Sequence, residues 1–339
     1  MVSFQPSDLG PRDPSPENPG PADPSVGSSG EGALNPLAVD LAGVRLQNPL
    51  IPASGCFGFG EEYSDFFDPN ILGAAALKGT TAQPQDGNPT PRIAEAPCGM
   101  INSIGLQNPG LEAVLAHSLP TFQQGFHQPV IMNISGFSVE EYVEACAKTD
   151  GTCEIIEVNV SCPNVEGGGM TFGASADLTG EITRRVREVV KHSKVFVKLS
   201  PNVTDIVKIA EKCVEGGADG LTLINTVQGM RIDVATRRPV IAREMGGLSG
   251  PAIFPIALRM IYQVKQAFDV PIMGSGGVVD ARTAIEMMMA GADAVQIGSE
   301  ALRNPRVFPR ILEELPRVMA DLGIGSLQEI VGAALPKNR

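Results

Sequence analysis

The sequence contains no tryptophan and only 5% aromatic residues, although 43% of its 339 residues are hydrophobic. Its core must therefore be built from aliphatic side chains, alanine and glycine. No stretch approaches the roughly 18 uninterrupted apolar residues that a membrane-spanning helix requires. Residues 1–35 also lack the apolar segment of a secretory signal peptide. We therefore expect neither a membrane protein nor an exported one.

Basic residues are scarce: 26 lysines and arginines stand against 38 acidic residues, which gives a formal net charge of −12. A nucleic-acid backbone or an anionic membrane surface would require a basic stripe, so neither is an expected partner. A small anionic ligand remains compatible with this charge, since a few lysines and backbone N–H groups can bind it locally.

The sequence has only three histidines, and no two of its cysteines have the C-x2-C spacing of a zinc or iron–sulfur site. We expect no metal site. A chain of this length needs no disulfides, which predicts a reduced, cytoplasmic protein. The cysteines are Cys56, Cys98, Cys146, Cys153, Cys162 and Cys213.

The first 35 residues differ in composition from the rest, because proline, glycine, serine and acidic residues dominate them. Such a segment cannot bury enough apolar surface to offset the entropy lost on ordering. We predict a disordered tail over residues 1–35 and one globular domain over residues 36–339.

The globular part alternates short aliphatic runs with amphipathic, helical patterns. Runs without polar alternation indicate strands buried on both faces, as in a parallel sheet. Eight such units predict a closed TIM (β/α)8 barrel rather than an open α/β sheet. The predicted strands are 50–53, 74–78, 129–133, 155–160, 195–199, 221–225, 271–274 and 294–298. The predicted helices are 138–148, 176–191, 204–215, 251–267, 280–290 and 306–320. Insertions are expected at 79–128 and 226–250, where segments such as 238–242 form small strands.

Polar residues recur where these strands end, which is the end that carries the active site in this fold. Polar side chains at one level of an apolar barrel are costly unless they meet a ligand or each other. We therefore predict one shared ligand site. The residues are Ser54, Lys78, Asn133, Asn159, Lys198, Asn225, Gly274–Gly277 and Gly298–Ser299.

Glycine-rich turns follow the seventh and eighth strands, at Gly274–Gly277 and Gly298–Ser299. In a TIM barrel this is the usual place for a phosphate group, which backbone N–H groups bind. The dinucleotide fingerprint G-x-G-x-x-G is missing from the start of any βαβ unit. The pattern favours a mononucleotide such as FMN.

The segment Asn159-Val160-Ser161-Cys162-Pro163-Asn164 places a thiol between amides just after the fourth strand. No histidine stands at any strand end, so the usual general base is missing there. Cys162 is the best-placed proton acceptor, whereas Cys56, Cys146 and Cys213 better fit small buried core residues.

Seven motifs together resemble the class 1 dihydroorotate dehydrogenases, in order from about residue 37 onwards. They are PASG (52–55), LKGTT (77–81), NSIGLQNPG (102–110), NVSCPN (159–164), VKLSPN (197–202), GGLSGPA (246–252) and GSGGV (274–278). Cys162 resembles class 1, since class 2 enzymes carry serine there. Ile104 and Gln107 resemble the NAD-linked 1B branch, because the fumarate-linked 1A branch typically has methionine and proline at those positions.

The resemblance implies oxidation of (S)-dihydroorotate to orotate in pyrimidine (UMP) biosynthesis, with Cys162 removing the C5 proton while C6 delivers hydride to flavin N5. It also implies an electron-transfer subunit with FAD and a [2Fe–2S] cluster. Two copies of each subunit would form a heterotetramer around a homodimer core, and electrons would pass to NAD+.

Site roles follow from the same resemblance. The residues implied for FMN are Ala53, Ser54, Gly55, Lys78, Gly79, Asn133, Asn159, Lys198, Ile224, Gly250, Gly276, Gly277, Gly298 and Ser299. The residues implied for the substrate are Lys78, Asn102, Ser103, Ile104, Gly105, Leu106, Asn159, Asn164, Asn225 and Thr226.

Other functions stay open at this point. The closest alternatives are the fumarate-linked 1A enzyme and a related dihydropyrimidine dehydrogenase. A non-catalytic, flavin-binding assembly subunit is a third. A phosphate-sugar aldolase is a fourth, with Lys198 as its Schiff-base lysine.

Overall fold

The computed structural model describes residues 35–160 and 172–336. The described chain begins with an antiparallel hairpin of strands β1 (Val39–Leu41) and β2 (Val44–Leu46). Its two-residue turn consists of Ala42 and Gly43, which both have positive φ angles, as such tight hairpin turns require. Leu41 and Leu46 are buried, so the hairpin packs against the core. Of the tail predicted over 1–35, residues 1–34 lie outside the described residues.

Strands and helices alternate along most of the remaining chain. The further strands are β3 (Leu50–Pro52), β4 (Ala75–Ala76), β5 (Ile93–Ala96), β6 (Gly99–Asn102), β7 (Val130–Ile134), β8 (Ile155–Asn159), β9 (Lys194–Lys198), β10 (Gly220–Leu223), β11 (Val227–Met230), β12 (Ile232–Asp233), β13 (Arg238–Pro239), β14 (Met245–Ser249), β15 (Ile272–Ser275) and β16 (Ala294–Ile297). The helices are α1 (Leu111–Ala113), α2 (Leu119–Gly125), α3 (Val139–Thr149), α4 (Ala176–Val189), α5 (Ile206–Glu215), α6 (Phe254–Ala267), α7 (Ala281–Met289), α8 (Ser299–Arg303) and α9 (Val307–Leu322).

Eight parallel strands form the central sheet, in the order β3-β16-β15-β10-β9-β8-β7-β4. Gly73, two residues before β4, donates a backbone hydrogen bond to the Leu50 carbonyl of β3 (3.0 Å), which brings the sheet close to a full barrel. All eight strands lie within two residues of the predicted ones, so the TIM-barrel prediction is confirmed. The core is mainly aliphatic, as the composition predicts, with a few fully buried aromatic side chains such as Phe57, Phe196 and Phe308.

The six predicted helices are present, with α6 preceded by a 3-10 turn at Pro251–Ile253. The prediction missed α8 and the helical stretch 111–125, which lies inside the first predicted insertion. In that stretch α1 continues through a π-helical turn, Val114–Ser118, into α2, and Pro120 occupies its second part. A π turn disrupts the 3.6-residue period from which helices are recognised. Among the described residues, no helix is both long and apolar enough to cross a membrane.

The two insertions pair with each other in one antiparallel sheet, of order β11-β14-β6-β5, which we call the insertion sheet. Strands β5 and β6 come from the first insertion, and β11 and β14 from the second. The link between them is the pairing of β14 with β6, where Gly247 is opposite Asn102. The predicted small strand at 238–242 is observed as β13, which is shorter and pairs with β12.

Helix α7 begins with a capping box, which provides a test of local stability. The Asp280 carboxylate accepts a hydrogen bond from the Thr283 N–H (2.8 Å), and the Thr283 hydroxyl accepts one from the Asp280 N–H (3.0 Å). We expect Asp280→Ala to lower the free energy of unfolding by about 1 kcal/mol, since it leaves helix N–H groups without partners. Urea denaturation followed by circular dichroism measures this loss. Arg282→Ala, at an exposed position in the same helix, is the control, and equal midpoints for the two variants would contradict the expectation.

Candidate active site

A cavity of about 230 Å³ opens at the carboxyl ends of the barrel strands. One bound water needs only about 10–15 Å³ of such space, so the cavity is large enough for a ligand. Its wall includes every described residue of the two predicted binding sets except Ser103. These residues are Ala53, Ser54, Gly55, Lys78, Gly79, Asn102, Ile104, Gly105, Leu106, Asn133, Asn159, Lys198, Ile224, Asn225, Thr226, Gly250, Gly276, Gly277, Gly298 and Ser299.

Two described residues of the predicted ligand site, Gly274 and Ser103, are not part of this wall. Gly274 packs instead against Met287, whose Cγ would lie 2.7 Å from a Cβ atom on this glycine. Ser103 is buried beside the wall, and its hydroxyl has no hydrogen-bond partner within residues 35–160 and 172–336. Cys162 and Asn164 lie outside the described residues. Their roles stay predictions.

A buried carboxylate, that of Glu157 on β8, lies at the centre of the polar groups below the cavity. Its Oε1 accepts hydrogen bonds from Asn133 Nδ2 (2.6 Å) and Lys198 Nζ (3.3 Å). Its Oε2 accepts from Gln296 Nε2 (2.7 Å) and Thr222 Oγ1 (2.8 Å). The donors come from β7, β9, β10 and β16, so the contacts reach across the inside of the barrel. Full burial of this carboxylate is tolerated because both of its oxygens accept hydrogen bonds and Lys198 forms an ion pair with it.

Glu157 and Gln296 were not among the predicted site residues, because their partners in the barrel lie far away in the chain. A signal did exist. Glu157 stands between the aliphatic residues Ile155, Ile156 and Val158. In a strand buried on both faces, such a residue must point into the barrel.

Three asparagines form a chain of side-chain amides along the cavity. Asn225 Nδ2 donates to Asn159 Oδ1 (3.3 Å), and Asn159 Nδ2 makes a longer contact with Asn133 Oδ1 (3.5 Å). The chain begins at the backbone, where the Thr226 N–H donates to Asn225 Oδ1 (2.8 Å). The end of β8 is held separately, by a hydrogen bond from the Tyr142 hydroxyl to the Asn159 carbonyl (2.8 Å).

The glycine-rich turns bring backbone segments too close for side chains. Gly250, Gly276 and Gly277 have φ angles of 104°, 126° and 80°. A Cβ atom on Gly277 would lie 2.7 Å from the Phe254 Cβ and 2.9 Å from the Gly250 carbonyl oxygen. Only glycine fits there, so one corner of the cavity is lined by bare backbone. Such a corner suits the oxygens of a phosphate group.

Other wall residues lie outside both predicted sets. Ile93 and Met100 come from the β5–β6 hairpin, and Gly247 and Ser249 from β14, so the insertion sheet covers part of the cavity. Cys56, predicted as a core residue, also lies in the wall. The remaining ones are Ile253, Ser275, Val278, Val279, Glu300 and Leu302.

Cys56 has an unusual electrostatic environment. Loss of solvation raises the pKa of its thiol to about 11, although the positive charges of Lys198 and Lys78 act in the opposite direction. The thiol therefore stays protonated near neutral pH. Cys56 is consequently a poor candidate for a general base, even though it lines the cavity.

Fold and site together define a (β/α)8-barrel protein with a polar, partly glycine-lined cavity at the carboxyl ends of its strands. Comparison with known proteins identifies one family. The family model described as dihydroorotate dehydrogenase matches residues 36–319. The chain belongs to the dihydroorotate dehydrogenase family, which confirms the resemblance seen in its motifs.

The similarity to several relatives extends over almost the whole length of each relative. A protein of Geobacillus kaustophilus is 52% identical over 301 residues, which are 88% of this chain and 96% of the relative. One of Listeria monocytogenes is 52% identical over 299 residues (88% and 98%). One of Bacillus cytotoxicus is 50% identical over 301 residues (88% and 97%). Each is named dihydroorotate dehydrogenase B (NAD(+)), catalytic subunit.

The raised pKa of Cys56 predicts a difference in thiol reactivity. Since only the thiolate reacts with iodoacetamide, we expect Cys56 to be alkylated far more slowly than the exposed Cys98 at about pH 8. Its rate should rise steeply as the pH approaches 11. Peptide mapping by mass spectrometry follows each cysteine separately. Equal rates for Cys56 and Cys98 at the lower pH would refute this.

Proposed function

We propose that this protein oxidises (S)-dihydroorotate to orotate in pyrimidine biosynthesis, with bound FMN and with Cys162 as the general base. The observation that carries the proposal is the meeting of two lysines, four asparagines and a glycine-lined corner in one cavity of the barrel. The names of relatives at about half identity support the same reaction.

The residues present fit FMN. The bare backbone around Gly250, Gly276 and Gly277, with Gly298 and Ser299 beside it, would bind the phosphate. Ala53–Gly55, Gly79, Asn133, Asn159 and Ile224 would contact the ring, and Lys198 would support its electron-rich edge. When bound, FMN supplies the acceptor for the hydride from C6 of the substrate.

The cavity amides fit the substrate. Each asparagine offers a donor and an acceptor, as do the imide and amide edges of a dihydropyrimidinedione. We assign substrate binding to Asn159, Asn164, Asn225 and Thr226, with Lys78 as a counter-charge for the substrate carboxylate. Asn102–Leu106 would close the other side, and Ser103 would support that segment from behind.

Cys162 is the proposed base for the C5 proton. It stands three residues after Asn159 in the sequence, and Asn159 lines the cavity. No histidine lines the cavity in the part of the chain that the structure describes. The proton passes from C5 to the Cys162 thiolate and from the thiol to solvent.

An electron-transfer subunit is the proposed partner. The printed names of the relatives include NAD(+) and the words catalytic subunit, which favours the 1B arrangement over the fumarate-linked 1A enzyme. We infer that the partner carries FAD and a [2Fe–2S] cluster and that two copies of each subunit assemble around a homodimer core. Large apolar side chains exposed on the two insertions support a protein partner there. They are Ile93, Met230, Ile232, Val234 and Met245. The cytoplasmic location stays a prediction.

The aldolase alternative is disfavoured by the surroundings of Lys198. Its ammonium group donates hydrogen bonds to Glu157 and to Gln296 Oε1 (3.0 Å). A Schiff-base lysine must direct its nitrogen at a substrate carbonyl, whereas the Lys198 Nζ is directed at these two acceptors. A non-catalytic assembly subunit would need none of the convergent amides.

Anaerobic reduction of the purified chain tests the proposal directly. We expect dihydroorotate to bleach the flavin absorption and NAD+ alone not to restore it, because the path to NAD+ runs through the partner. A yellow protein whose spectrum ignores dihydroorotate would refute the substrate, and a colourless one would refute FMN binding. Reoxidation by NAD+ without a partner would refute the electron-transfer arrangement.

Replacement of Cys162 tests the base. We expect Cys162→Ala to slow flavin reduction by dihydroorotate by a factor of about 10² to 10⁴, the usual contribution of a positioned base. Orotate should still bind. The matched control is Cys98→Ala, which removes an exposed thiol outside the cavity. Wild-type reduction rates in the Cys162 variant would disprove the assignment.

A further inference from the structure

We propose that Glu157 is a positioning residue that sets the donor and acceptor pattern of the substrate cavity, by orienting the asparagine amides and the Lys198 ammonium. The inference rests on the proposed function, since it concerns how the same cavity recognises dihydroorotate and orotate. Glu157 itself lies below the cavity and is absent from its wall.

The groups around Glu157 are all hydrogen-bond donors. Lys198 can only donate, so the Gln296 oxygen must face it and the Gln296 Nε2 must face Glu157. Glu157 therefore receives donors on both carboxylate oxygens. The ionised form, which only accepts, matches all four contacts.

The orientation of the three asparagine amides follows from the carboxylate. Because the carboxylate only accepts, the Asn133 atom that lies 2.6 Å from it must be the amide nitrogen. Asn133 then turns its oxygen to Asn159, and Asn159 turns its own oxygen to Asn225. At the far end the Thr226 N–H requires an acceptor, which is the Asn225 oxygen. Both ends of the chain therefore demand the same direction.

A neutral glutamine at position 157 would disturb this hydrogen-bond pattern. Glutamine has the same shape but one oxygen and one NH2 group, whereas its four neighbours present donors to both positions. If the oxygen of the introduced glutamine faces Asn133 and Lys198, the NH2 group of that glutamine meets the NH2 group of Gln296, and two donors face each other. If Gln296 turns so that its oxygen accepts from the glutamine, the NH2 group of Gln296 faces the Lys198 ammonium, which is again a donor. No orientation satisfies all contacts, and each choice disturbs a residue whose partner lines the cavity.

The test compares three variants at barrel-interior positions: Glu157→Gln, Glu157→Asp and Thr222→Val. Thr222→Val is the matched control, because it removes one donor to Glu157 but keeps the carboxylate. Orotate is titrated into the FMN-loaded proteins by calorimetry. We expect Glu157→Gln to bind orotate about tenfold more weakly, as fits the loss of a charge-assisted hydrogen bond. Glu157→Asp should bind better than Glu157→Gln, and Thr222→Val nearly as well as wild type.

A purely structural role predicts the reverse order. Glutamine is isosteric with glutamate, whereas aspartate leaves a gap in a fully buried layer. Orotate binding that is normal in Glu157→Gln and weaker in Glu157→Asp would overturn the inference. A wild-type protein that binds no orotate would overturn the proposed function and the inference with it. Bleaching of wild type by dihydroorotate, with equal orotate binding in all variants, would overturn the inference alone.

A second variant keeps the inference testable if Glu157→Gln does not fold. Gln296→Met removes one donor to Glu157 and the acceptor that faces Lys198, and Gln296 itself is absent from the cavity wall. We expect Gln296→Met to bind orotate more weakly than Thr222→Val does. Orotate affinity equal to that of wild type in Gln296→Met would overturn the inference.

Discussion

The structure depends on one buried carboxylate inside the barrel. Taking an ion out of water costs several kcal/mol even in a relaxed protein, and only close, well-directed donors offset that cost. Glu157 obtains these donors from four other strands of the barrel, and they must arrive together. The packing of the strands and the layout of the cavity are therefore two results of the same set of contacts.

Two of the four donors connect the buried carboxylate to the cavity. Asn133 and Lys198 both donate hydrogen bonds to Glu157 and line the cavity above it. Their positions follow from parallel register, since Asn133 is opposite Glu157 on β7 and Lys198 is opposite Asn159 on β9. A ligand in the cavity thus meets groups that are already held in place, which lowers the cost of ordering them on binding.

Much of this was predictable from the sequence. Continuous aliphatic runs located the eight strands, and the polar residues after them marked the cavity, because parallel strands all end at the same face of a barrel. Helix 111–125 was missed because its π turn and Pro120 obscure the helical period. Glu157 was missed because its partners lie far away in the chain, up to 139 residues distant at Gln296. Cys56 was taken for a core residue, and its place in the wall depends on how the loop after β3 folds back.

The pairing of β6 with β14 has a consequence for how such a protein changes over time. Asn102 and Gly247 are 145 residues apart, yet their strands complete one another's backbone hydrogen bonds beside the cavity. Shortening one insertion alone would leave the other with an open edge, which invites pairing with foreign chains. The two insertions are therefore expected to lengthen, shrink or disappear together among relatives, as one inherited unit encoded in two separate places.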